Sequence, residues 1–232
     1  MSESVTIPSF DGETFDGYLF RAGAAPAPGL VMIPEIYGVN RFLRETAQRF
    51  AEAGYSVLAI DIFWRLARNV DLQYAGEEKR RANALHDDFD YALGVKDVQS
   101  AVTALRRHAA CTGTVGVTGY CLGGTLAYLA AARTDAEAAA GYYGTRIHDF
   151  LEDGPRIAKP LLLHFGELDH NTPPERLEQI RAATGSNRHV TEFVYAGAKH
   201  AFANHIRPDR YHPAAARLAD ERTLSFFGAA LS

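Results

Sequence analysis

The segment Gly119-Tyr120-Cys121-Leu122-Gly123-Gly124 sets one of only two cysteines between glycines. It follows the apolar run Val115-Gly116-Val117-Thr118, which reads as a strand, and opens the small-residue stretch 122–133, which reads as a helix. A G-x-nucleophile-x-G turn from strand to helix forces its central residue into strained backbone angles and lifts that side chain above the sheet. The flanking glycines let neighbouring backbone approach closely. A thiol placed there sits at a helix N-terminus, whose dipole favours the thiolate, the form that attacks carbonyl carbon. Cys111 has none of this context and reads as structural.

An attacking thiol needs a base, and the base needs an acid that fixes its tautomer. Asp169 lies just past the predicted strand 160–165, and His200 lies in the loop after the predicted strand 190–195. The chain order nucleophile, acid, histidine is the one expected around an elbow of this kind. Glu167 is an alternative acid. His170 and His205 read as surface residues, and His164, inside a strand, as a satisfied core histidine. The developing oxyanion needs two backbone donors: the amide of Leu122, and that of Ile36 in the loop after strand 30–33. Glu35 stands beside Ile36. A carboxylate there either holds Cys121 protonated at rest or helps to ionise it when substrate arrives.

These residues need a scaffold that brings strand ends together. Strands are predicted at 15–20, 30–33, 55–60, 114–118, 138–143, 160–165 and 190–195, with 24–29 as a loop. Helices are predicted from about residue 42 to 53 and at 91–108, 122–133, 173–184 and 213–227, whereas 65–81 is polar without a clear period. Alternating strands and helices predict an α/β fold with one mostly parallel central sheet and helices on both faces. Sites in such sheets form beyond the carboxyl ends of the strands, where these candidates fall.

The chain has 232 residues, 47% hydrophobic and 22% charged, enough for one domain over 1–232. No linker, repeat or low-complexity segment divides it. The net charge is −4 with no long basic run, so no nucleic-acid partner is expected. No apolar stretch reaches the ~18 residues of a membrane span, and the N-terminus lacks a signal-peptide pattern. Two cysteines make no disulfide framework, which places the chain in a reducing cytoplasm. Monomer and small homo-oligomer both remain open.

Taken together, the segments Glu35-Ile36-Tyr37-Gly38-Val39-Asn40, Gly119 to Gly124, Gly141-Tyr142-Tyr143-Gly144, Asp169-His170 and His200-Ala201-Phe202 resemble the dienelactone hydrolases (carboxymethylenebutenolidases) of the α/β-hydrolase superfamily. The match runs over nearly the whole chain. The resemblance implies a Cys121-His200-Asp169 hydrolase without metal or organic cofactor, acting on a small lactone or ester. The typical substrate is 4-carboxymethylenebut-2-en-4-olide, opened to maleylacetate. It also implies that Glu35 pairs with the cysteine, and that Tyr143 belongs to the substrate site. Members that take this lactone hold its carboxylate with two arginines. Here one position is Lys79, with Arg80 and Arg81 adjacent, and the other is Asn204, with Arg207 close in sequence. A tyrosine expected nearby is Asn83, and Arg146 is an alternative cation. A lysine or asparagine does not reproduce a bidentate guanidinium, so the chemistry is better specified than the substrate. Rival readings are a related carboxylesterase with another substrate, and a non-catalytic thiol sensor of the same fold.

Overall fold

Short apolar runs that do not alternate with polar residues make strands buried on both faces, and such strands need helices above and below. The computed structural model, which describes residues 2–232, is built this way. Eight strands form one sheet: β1 (Glu3–Pro8), β2 (Thr14–Phe20), β3 (Ala27–Ile33), β4 (Ser56–Ile60), β5 (Cys111–Tyr120), β6 (Ala138–Tyr142), β7 (Leu161–Gly166) and β8 (Val190–Tyr195). Their order is β1-β2-β4-β3-β5-β6-β7-β8. The pairs β1/β2 and β2/β4 are antiparallel and the rest are parallel.

Six helices accompany the sheet: α1 (Arg41–Glu52), α2 (Gly76–Asp87), α3 (Tyr91–Arg107), α4 (Leu122–Arg133), α5 (Pro174–Thr184) and α6 (Pro213–Ala230). The core divides into two clusters, one on each face. Phe42 and Phe50 of α1 and Phe227 of α6 belong to one. Val98 and Leu105 of α3, Leu126 of α4 and Ile180 of α5 belong to the other. Asn40 caps α1, accepting from the Leu43 amide, and Gly54 closes it at φ 104°. Asp90 caps α3, accepting from the amides of Ala92 and Leu93.

Several elements depart from the sequence reading, β5 among them, which starts at Cys111 rather than 114. β1 was not anticipated; it is an outer strand whose residues are mostly exposed, so little apolar patterning marks it. β3 begins at Ala27, inside the stretch expected to be loop, because Ala27 already pairs with Cys111 of β5. The helix α2 occupies part of the polar stretch. Ala82 is its one buried residue, so it carries no hydrophobic stripe.

The strand β5 runs into α4 through a turn whose backbones touch. A Cβ on Gly119 would fall inside van der Waals contact of the Gly123 carbonyl, and one on Gly123 would meet the carbonyls of Ile33 and Pro34. The Gly123 amide donates to Pro34 O at 3.2 Å, tying the turn to the end of β3. Gly119→Ala is therefore expected to lower the melting temperature by roughly 2–12 °C, from about 1–3 kcal/mol of overpacking in a domain of this size. Thermal unfolding followed by circular dichroism checks this; an unchanged midpoint would mean that the turn has room to spare.

Candidate active site

Cys121 is the residue before α4 and adopts φ 58° and ψ −113°, an arrangement costly for a residue with a Cβ. Its amide donates to Tyr142 O at 3.0 Å. Among the described non-glycine residues, positive φ occurs at Asn69, Cys121, Tyr143 and Ala201. Two of these, Cys121 and Ala201, line one cavity and Tyr143 is buried behind its wall, as expected where strain is stored for function. Cys121 is 7% exposed and opens into that cavity of about 200 Å³, which Glu35, Ile36 and His200 also line.

His200 Nδ1 donates to Asp169 Oδ2 at 2.8 Å, which leaves Nε2 for the sulfur side. Asp169 is held in place by a tight turn, its Oδ1 accepting from the Asn171 amide at 2.8 Å. Burial opposes ionisation of Asp169, but His200 and the Asn171 amide outweigh it and hold the carboxyl below its ordinary value. Burial likewise opposes an imidazolium at His200, yet negative charge on Cys121 and the Asp169 carboxylate raise it to about 10. Glu167, the alternative acid, is exposed and accepts from the Gly197 amide instead.

Glu35 is almost fully buried. Its oxygens accept from the Tyr143 hydroxyl at 3.2 Å and from Asn204 Nδ2 at 2.9 Å. Burial pushes its carboxyl up from the ordinary value, against the pull of His200 and Arg207. Among the described residues no side-chain hydrogen bond joins Glu35 to Cys121; Tyr143, which donates to Glu35, stands between the glutamate and His200. The Tyr143 ring packs edge-on against His200, with centroids 5.1 Å apart. Asn204 Nδ2 also donates to the Tyr74 hydroxyl at 2.9 Å, as does Asn40 Nδ2 at 2.9 Å. A buried polar chain therefore anchors the Glu35 loop to the segment before α2.

The candidate substrate residues separate. Lys79 and Asn83 line the cavity with His86, four and seven residues along one face of α2. Arg80 and Arg81 are exposed and do not line it; Arg81 borders a separate surface hollow. Arg146 is also outside the lining, with Nε donating to Asp149 Oδ2 at 2.6 Å. Asn204 and Tyr143 are fully buried behind the wall and act on Glu35. Two other arginines, Arg207 and Arg210, line the cavity and share the exposed carboxylate of Asp209, at 3.5 and 3.2 Å. Arg207 was noted in the sequence only for its nearness to Asn204, and nothing in the pattern singled out Arg210. Ile36 lines the cavity, and Leu122, first in α4, has an amide with no intrahelical acceptor.

The remaining histidines sort by partner. His164 is buried between the Tyr195 and Thr223 hydroxyls, at 2.8 and 2.9 Å, and burial lowers it to about 3, so it is a core residue. His205 is half-buried rather than on the surface, held by Glu45 at 2.6 Å. His170 is exposed, but it borders the cavity with its ring centroid 6.1 Å from that of His200.

The strand order, the crossover from β5 through the elbow to α4, and the residues gathered above it define an α/β hydrolase. The sequence profile of the dienelactone hydrolase family matches residues 15–231. A carboxymethylenebutenolidase of Pseudomonas putida is 37% identical over 227 residues, covering 97% of this chain and 96% of that protein. Carboxymethylenebutenolidase 1 of Cupriavidus pinatubonensis is 35% identical over 225 residues, covering 97% and 95%. A crystal structure of a dienelactone hydrolase-type protein from Klebsiella pneumoniae shares the fold, with a TM-score of 0.86 at 24% identity and 98% of each chain covered. The chain belongs to the dienelactone hydrolase family, and it is a hydrolase of ester or lactone bonds.

The raised His200 has a sign that can be tested. Relative to an ordinary 6.5, an imidazolium at about 10 contributes stability that is complete below pH ~6.5 and is lost as pH rises toward 10. In NMR titrations the wild-type ring should remain protonated beyond pH 8, whereas Cys121→Ala and Asp169→Asn should each lower its midpoint by about one unit or more. An unmoved midpoint in both variants would show that neither charge acts on the ring.

Proposed function

We propose that the chain opens a small anionic enol lactone of the carboxymethylenebutenolide type through a thiol ester on Cys121. The observation that carries this reading is the strained Cys121 facing a His200 whose Nδ1 is fixed by Asp169 at 2.8 Å. The Cys121 thiolate attacks the lactone carbonyl, the C–S bond forms, and the amides of Leu122 and Ile36 receive the oxyanion. The ring C–O bond breaks, and the enolate oxygen takes the proton from His200 Nε2. Acylation removes the negative charge on sulfur that helped to keep the imidazolium protonated. Burial then favours the neutral ring, which takes a proton from water. Hydroxide attacks the thiol ester, the thiolate departs, and the carboxylic product leaves. A thiolate is itself a good leaving group, so the arrangement suits activated esters and lactones rather than amides.

Charge around the cavity supports an anionic substrate. Lys79, Arg207 and Arg210 border it, and the two arginines have one exposed carboxylate between them. Matching curated relatives include carboxymethylenebutenolidases and a probable 2-oxo-3-(5-oxofuran-2-ylidene)propanoate lactonase. Glu35, pushed toward its neutral form by burial, adds little opposing charge. Both cysteines are free thiols, which supports a reducing compartment such as the cytoplasm.

Cys121→Ala should keep its circular dichroism spectrum and lose at least ~10³-fold in kcat on p-nitrophenyl acetate or an enol lactone. Retained turnover would remove the thiol from the mechanism. Arg207→Gln should raise KM for an anionic lactone roughly 10–100-fold, and by less for a neutral ester, since one charge-assisted hydrogen bond is lost. Equal effects on both substrates would show that Arg207 does not hold the anion.

A further inference from the structure

Tyr37 lines the cavity that holds Cys121, and the chemistry above makes no use of its side chain. Two features fix its position. The loop after β3 is paired with the segment before α2: the Leu72 amide donates to Tyr37 O at 2.9 Å, and the Val39 amide to Val70 O at 2.9 Å. The Tyr37 ring meets the Tyr74 ring edge-on, with centroids 4.4 Å apart, and the Arg207 guanidinium lies 5.2 Å from the centre of that same Tyr74 ring. The side chain is thus held near the wall that carries the arginines. Tyr37 is only 5% exposed, yet its hydroxyl makes no hydrogen bond among the described residues and is not one of the enclosed, unpartnered polar atoms. The hydroxyl is therefore open, and the surface it opens on is the cavity. A tyrosine hydroxyl on a buried ring ordinarily has a protein partner, which leaves this one for water or a ligand.

The groups around this hydroxyl decide what it can hold. Burial pushes the Tyr37 phenol up from its ordinary value; Glu35 and Cys121 push the same way, and Arg207 and Arg210 oppose them. The phenol therefore keeps its proton at neutral pH and serves as a donor rather than an acid. Both cations and the sulfur stand within electrostatic reach of it. A cation attracts any anion, whereas an O–H beside it rewards only an acceptor placed in line with its proton. We propose that Tyr37 is a specificity-determining residue for the substrate's carboxylate, its hydroxyl donating one hydrogen bond to the carboxylate that Arg207 and Arg210 attract. This rests on the anionic-lactone reading and sharpens it: the carboxylate is recognised by direction as well as by charge, at a fixed place relative to Cys121.

The test measures lactone opening by absorbance for carboxymethylenebutenolide and for its methyl ester, which lacks the charge. The full wild-type chain is compared with Tyr37→Phe, which removes only the hydroxyl oxygen. For the free carboxylate KM should rise roughly 10–100-fold with kcat nearly unchanged, the effect of losing one hydrogen bond to a charged acceptor. For the methyl ester KM should change far less, because a neutral carbonyl is the weaker acceptor. The variant should melt with wild type, since the hydroxyl holds no protein group. In an Arg207→Gln background the same substitution should raise KM by a smaller factor, because the two groups hold one carboxylate. An unchanged KM, an equal change on both substrates, or a loss confined to kcat would overturn the role of Tyr37 and leave the arginine site standing. A wild-type chain with equal KM for the acid and its ester would overturn the anionic-substrate reading and this proposal with it.

Discussion

The structure depends on one close approach of backbones. At the β5–α4 turn Gly119 and Gly123 leave no room for side chains, and the chain can close only if the residue between them takes a left-handed φ. That constraint puts Cys121 over the strand ends and at a helix N-terminus, where the backbone amides of α4 face it. The same turn is bonded to Pro34 O and Tyr142 O, the ends of the two strands flanking β5. The loops bearing Glu35, Ile36 and Tyr143 are therefore positioned by the strand that positions the sulfur.

Electrostatics then decides what the sulfur can do. Burial acts against every charge in the cavity, so each charged form that survives needs a partner. Asp169 has His200 and the Asn171 amide; His200 has Asp169 and the sulfur. Glu35 receives only neutral donors, Tyr143 and Asn204, and burial wins there. In the proposed mechanism the charge on His200 is coupled to that on Cys121, and acylating the sulfur would change the protonation of the ring, turning one imidazole from proton donor into proton acceptor between the two half-reactions.

Much of this is visible in the sequence. The elbow, the order of Cys121, Asp169 and His200, and the parallel strands follow from local patterns: glycine spacing, apolar runs, and polar residues directly after strands. The cap at Asn40 and the start of α4 were legible for the same reason. What the sequence hid has a common cause. The helix α2 presents Lys79, Asn83 and His86 to a polar cavity, so the face that packs inward is hydrophilic and the usual periodicity is absent. The cations of the cavity were obscured because Asn204 turns inward to Glu35 while Arg207, three residues on, reaches the cavity.

The central claim is that the sulfur of Cys121 carries the acyl group between the two half-reactions. Rapid-quench mass spectrometry during turnover of p-nitrophenyl acetate addresses it directly. The account predicts an acetyl adduct on the peptide containing Cys121, formed in step with the nitrophenolate burst and decaying as acetate appears. Full turnover with no adduct on Cys121, or with the acetyl group on another residue, would contradict it.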